Sequence, residues 1–124
     1  MFSSLVLAAA LASQSPASAV TVEARAERID VGYEELAEGR TIDAIARIEA
    51  SLATNPQDPA ALINLAAAYA RLGRAGDARS ALNAAAASSE RFDLQLADGR
   101  WLDSRQAARM AMTMLKDGQT LALR

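Results

Sequence analysis

One offset recurs along this chain, the step from Gly39 to Gly73, and it constrains the fold more than any other feature. Both glycines end an apolar stretch and each precedes an arginine, Arg40 and Arg74. The same offset joins Asp43 to Asp77, Ala44 to Ala78 and Ile48 to Leu82. It also carries Val31 onto Leu65 and Leu52 onto Ala86. Several matches at one offset imply a duplicated supersecondary unit, because a repeat buries its apolar face only against a neighbour like itself.

Each unit reads as two helices joined by a turn. In the second, Asp58 is a cap and Pro59 occupies the first helical position, where a missing N–H costs nothing. Leu62, Leu65, Ala66, Tyr69 and Leu72 follow with helical periodicity, and Gly73 closes the helix as a left-handed residue does. A further helix is predicted from about Ala75 to Ala87, with Ala78, Leu82 and Ala85 on one face. In the first unit Ile29, Tyr33, Leu36 and Ala37 form a stripe before Gly39. Thr41 is the expected cap of the helix carrying Ile45, Ile48 and Leu52, and Asn55-Pro56 closes the unit. Composition agrees: alanine fills 31 of 124 positions, while Gly (6) and Pro (3) are scarce.

These residues resemble the tetratricopeptide repeat family, whose unit is a helical hairpin of about 34 residues. In the second unit Leu62 stands in the family's tryptophan slot, Leu65 in its leucine slot, Ala66 in its small slot and Tyr69 in its tyrosine slot. Ala78 takes the small position at the helix crossing and Leu82 the large apolar one, while Glu90 replaces the closing proline. In the first unit Gly32, Ala44, Ile48 and Pro56 match, but Arg28 and Glu35 hold the tryptophan and tyrosine slots. The resemblance implies a mainly α fold with two tandem hairpins, residues 25–58 and 59–92 within a segment 20–92, and a scaffold that binds a protein or peptide. It names no ligand, because fold does not fix function.

Residues 93–124 then have to cover the second unit. Phe92 to Leu96 alternates apolar and polar residues as a half-buried strand does, and Asp98-Gly99 is a two-residue hairpin signal. Arg100-Trp101-Leu102 is the expected return strand, with Trp101 its docking anchor. Asp103 and Gln106 have capping-box spacing ahead of a capping helix striped by Ala107, Met110, Ala111, Met114 and Leu115. Met110 and Met114 fall on the inward stripe as gap-fillers, whereas Met112 lies off it.

The first nineteen residues read differently. Leu5 to Ala12 is an apolar run of eight, followed by Ser13 to Pro16 and then Ala17-Ser18-Ala19. That is the pattern of a signal peptide cleaved after Ala19, although only the terminal amine supplies positive charge before the run. Eight residues rise about 12 Å as helix, too short for a membrane span. The expected address is the periplasm or the exterior, with no membrane span in the mature chain.

Function is bounded mostly by what is missing. The chain has no Cys and no His, which removes thiolate nucleophiles, Cys/His metal sites, disulfides and histidine acid–base chemistry. Thirteen basic and fifteen acidic residues give net −2, without the basic footprint of a nucleic-acid binder. No cofactor loop or metal set is present in the sequence, and Glu34, Glu35 and Glu38 read as a solvated acidic face. The leading expectation is a non-catalytic interaction module. Helical phase places Ile29, Asp30 and Tyr33 beside Ile63, Asn64, Ala67 and Arg71 on the concave face. Members of the resembling family that grip a carboxylate use Asn with several Lys or Arg on this surface. Asn64 and Arg71 match part of that set, while Asp30 and Tyr33 stand where further bases would be. Two other classes stay open: a homo-oligomeric structural subunit pairing through exposed repeat edges, and a small carboxylate-dependent hydrolase.

Overall fold

The structure is a computed structural model that describes residues 32–119. Five helices and one hairpin follow in order: α1 (Tyr33–Ala37), α2 (Thr41–Thr54), α3 (Pro59–Arg71), α4 (Ala75–Ala87), β1 (Asp93–Gln95), β2 (Trp101–Asp103) and α5 (Ser104–Lys116). The fold is mainly helical with one small antiparallel sheet, as the repeat pattern and the hairpin signal require. The expected leader, and residues 25–31 of the first repeat, lie outside the described residues.

The repeated Gly-Arg-x-x-Asp is a turn device. Gly39 and Gly73 sit in the left-handed region, at φ +79° and +74°. At the first turn Arg40 N–H donates to Glu35 C=O (2.8 Å) and Gly39 N–H to Leu36 C=O (3.2 Å). At the second, Arg74 N–H donates to Tyr69 C=O (2.9 Å) and Gly73 N–H to Ala70 C=O (3.1 Å). Both are Schellman closures, satisfying carbonyls a helix end leaves orphaned. The arginine then opens the next helix and pairs with the aspartate three residues on, Arg40 with Asp43 (3.7 Å) and Arg74 with Asp77 (2.7 Å). Thr41 is therefore the first helical residue and not the cap. Arg40 holds the cap position without a side-chain cap bond, because the closing turn runs straight into the new helix. Asp58 does cap α3 as expected, accepting Ala60 N–H at 3.0 Å.

Core packing follows the repeat register. Ala44, Ile48, Leu65, Ala66, Ala78 and Leu82 are all buried and Tyr69 is half-buried. The small residues let helices approach closely while Ile48, Leu65 and Leu82 fill the seams. Gly32 shows how tight the first crossing is: a Cβ there would lie 2.7 Å from Ile48 Cγ1. It also has φ +73°, so α1 begins only at Tyr33. From Pro59 to Ala68 every residue of α3 is buried, since α2, α4 and α5 all pack against it.

The hairpin corrects two expectations at once. Leu96 N–H donates to Arg100 C=O (2.7 Å) and Gly99 N–H to Leu96 C=O (2.9 Å), so the loop has three residues, Ala97 to Gly99. A two-residue Asp98-Gly99 turn would pair Leu96 with Trp101 and send both inward. The third loop residue shifts the register by one, so Trp101 pairs with Gln95 and Leu102 with Leu94. One step of register exchanges the faces of a strand. Trp101 is therefore 51% exposed and lies outside the buried core; Leu94 (0%) and Leu96 (2%) do the docking.

α5 continues the grammar of the units. Asp103 caps it, accepting from Arg105 N–H (3.1 Å) and Gln106 N–H (3.3 Å). Gly118 closes it with the same pair of turn bonds, Gln119 N–H to Met114 C=O and Gly118 N–H to Leu115 C=O. The step from Asp58 to Asp103 equals the step from Gly73 to Gly118, and it is the repeat period lengthened by the hairpin segment Asp93–Asp103. α5 buries Ala107, Ala108 and Ala111 against α4 and α3. Met110 and Met112 both pack on the core, so Met112 is not off the inward side as its phase implied.

Candidate functional site

The expected concave face draws on α1 and α3. Ile29 and Asp30 lie outside the described residues. Tyr33 is half-buried on α1. Arg71 ends α3 with an exposed side chain whose Nη1 donates to the Leu36 carbonyl, so it ties the end of α1 to the second unit. That bond gives Arg71 a structural duty and fixes its stem beside α1.

The other three expected groove residues are inside. Ile63 and Asn64 have no exposure and Ala67 has 3%. Ile63 and Ala67 line a small cleft of about 10 Å³ together with Ala111 and Leu115 of α5. That is room for no more than about one water. Helical phase identifies a face but not what packs on it, and here α5 covers much of it. Asn64 is engaged within the fold and not offered to a ligand. Of the expected groove residues described, Tyr33 and Arg71 stay accessible, and Ile63, Asn64 and Ala67 belong to the interior.

A second concavity, of about 310 Å³, opens at the opposite edge between the α2–α3 and α4–β1 loops, lined by Asn55, Asp58, Glu90, Arg91 and Phe92. Its polar groups are largely committed to structure. Asn55 Nδ2 donates to Glu90 Oε2 (3.1 Å), Asp58 caps α3, and Arg91 pairs with Asp103 (2.7 Å). Ser88 Oγ donates to the Gln57 carbonyl nearby at 2.6 Å, joining the two loops. Glu90, which replaces the closing proline of the repeat, is thus a loop-to-loop tie that the sequence signalled only as a departure.

Three carboxyls among the described residues are shifted, all downward. Glu35 is held below its usual value by a hydrogen bond from its own backbone N–H, against the effect of burial and helped by Arg47. Asp103 is lowered by its bond with Arg91, and Asp98 by the Arg100 backbone N–H. Each shift keeps a carboxylate ionised, which suits an ion pair or a cap and not proton donation. Tyr69 is raised, first by burial and then by the charge of Glu49. Among the described residues no group of three His, Cys, Asp or Glu could hold a metal ion, and no helix is long and apolar enough to cross a membrane.

A family model described as tetratricopeptide repeat matches residues 35–99, more than half of the chain. No curated protein and no solved structure matches the chain significantly.

Proposed function

We propose, from the premise that this chain belongs to the tetratricopeptide repeat family, that it is a non-catalytic adaptor binding a peptide or protein segment on its concave helical face. Repeats of this family generally mediate protein–protein interaction, which argues for a protein partner. The observation that carries the reading is the join between units: Arg71 reaches from α3 and donates to the Leu36 carbonyl, one turn beyond half-buried Tyr33 in sequence, so the joined elements carry an accessible aromatic and a cation. Tyr33 and Arg71 make the contacts, while Ile63, Asn64 and Ala67 hold α3 in place from within the core.

The adaptor works in the cell envelope. The leader through Ala19 is removed on export, so the mature protein begins at Val20. Mass measurement of the exported product tests this directly; an intact Met1 terminus refutes it.

Capture from envelope extracts tests the surface. Tyr33→Ala is expected to weaken recovery of a specific partner several-fold, with the circular dichroism spectrum unchanged. A substitution at Ile63 would report on folding and not on the surface, because Ile63 has no exposure. Full capture by folded Tyr33→Ala and Arg71→Gln proteins would place the partner elsewhere on the molecule.

A further inference from the structure

The hairpin has two faces of opposite character. Leu94 and Leu96 are buried against the helices, with Leu102 beside them. The register pairs Asp93 with Asp103 and Gln95 with Trp101, so these four side chains share the other face. Trp101 is the chain's one tryptophan, and half of it stands in water. A side chain this large and apolar, left out of the core, contributes little to folding and much to any surface it meets.

Charge around the indole has a definite sign. Asp93 is exposed and its carboxylate makes no ion pair among the described residues. Asp103 holds Arg91 at 2.7 Å. Arg91 is in turn held above its usual value, chiefly by Asp103 and also by the charge of Asp93. Two aspartates therefore lie near a single arginine, which is bonded to Asp103. Arg100, the neighbour of Trp101 in sequence, is occupied by Asp98 at 2.8 Å. The face is an open indole beside a surplus negative charge. A cation above an indole gains from the ring quadrupole, and an adjacent carboxylate adds a charge-assisted bond.

We propose that the outer face of the β1–β2 hairpin is a docking site for an arginine-bearing segment of a partner protein. The guanidinium stacks on Trp101 and pairs with Asp93. Arginine fits better than lysine, because its planar head stacks on the ring while its edge donates to a carboxylate. This site is separate from the concave face of the helices and stands whether or not that face binds anything.

The single tryptophan supplies its own reporter. Full-length protein is titrated at low salt with capped tetra-arginine, tetra-lysine and tetra-glutamate peptides while Trp101 emission is followed. Tetra-arginine is expected to change the emission saturably, tetra-lysine more weakly and tetra-glutamate not at all. By calorimetry, Trp101→Leu and Asp93→Asn are each expected to weaken tetra-arginine binding about two- to fivefold, with helix content unchanged. Arg91→Ala is expected to tighten binding, because it frees Asp103 for the incoming cation. The proposal is overturned by emission that does not saturate below millimolar peptide, or by an equal response to tetra-glutamate. It is also overturned by calorimetric binding that both folded variants leave unchanged, which would put the peptide on another acidic surface such as Glu34 and Glu38.

Discussion

The two repeat units share a turn but not a core. Both close with a left-handed glycine, and both reopen with an Arg–Asp pair. Yet one period before Tyr69 the chain has Glu35, and one period before Ala66 it has Gly32. In the second unit Tyr69 lies under the Arg74 guanidinium, 4.7 Å from ring centroid to carbon, and its hydroxyl donates to Glu49 at 3.4 Å. In the first unit Glu35, 7% exposed, takes Arg47 at 2.8 Å instead. The polypeptide turn is set by backbone geometry, which tolerates any core. The interior of each unit depends on what covers it, and α3 is flanked by three helices where α1 is a helix of little more than one turn.

The largest test of that difference is to empty the matching large apolar slot in each unit. Leu82→Ala and Ile48→Ala both remove fully buried side chains. Each is expected to cost about 2–5 kcal/mol, with Leu82 toward the upper end, because α3 and α5 hold its surroundings in place and the cavity cannot collapse. Urea unfolding monitored by circular dichroism measures both. An equal or larger loss at Ile48 would mean that the first unit is packed as firmly as the second.

Next in size is the charge in the tyrosine slot. Arg47→Ala leaves the Glu35 carboxylate without its salt-bridge partner, and Glu35 Oε2 already has no hydrogen-bond partner among the described residues. A loss of about 1–2 kcal/mol is expected, the Arg47 side being largely exposed and screened. Tyr69→Phe, which removes only a long hydroxyl bond at the matching slot, is expected to cost less than half as much in the same assay. If the two losses are equal, Glu35 is better solvated than its burial implies.

The shared turn should respond equally in both units. Gly39→Ala and Gly73→Ala force a side chain into the left-handed region, where nothing else lies within 4 Å of the added carbon. Each is expected to cost about 1 kcal/mol from backbone strain alone. Gly32→Ala adds contact with Ile48 to the same strain and should cost more. Thermal melts of the three variants separate turn from crossing. Unequal losses at Gly39 and Gly73 would show that the turns, too, have diverged.

Legibility in the sequence tracks this contrast. Turns, caps and crossing alanines are readable because they depend on local rules: φ at Gly39, the oxygen of Asp58, the size of Ala44 and Ala78. What escapes depends on tertiary context. One extra loop residue turns Trp101 outward, and no composition rule distinguishes a two-residue from a three-residue loop at Ala97-Asp98-Gly99. Ile63 and Ala67 have the phase of a groove, but α5 arrives after the inserted hairpin and closes over them. The signal for that is present: Asp103 and Gly118 repeat Asp58 and Gly73 at a common, longer offset.

The smallest effect expected from the contrast is a pH dependence that belongs to the first unit. Glu35 is held below its ordinary value of 4.5, so its folded carboxyl binds a proton less readily than its unfolded one. The stabilisation it gives is therefore complete above the unfolded value and is lost as the pH falls through the lower folded value. Asp103 and Asp98 shift in the same direction, so the whole protein should soften in acid, and Glu35 has to be isolated by substitution. Melting temperatures of the parent and Glu35→Gln proteins from neutral pH to about pH 3 make that separation. The parent should be the more stable of the two at neutral pH, with the gap narrowing on acidification as Glu35 takes up a proton and comes to resemble the amide. A gap that stays constant in acid would show that Glu35 acts through shape and not charge, and that the polar slot of the first unit is only a poorer-fitting copy of Tyr69.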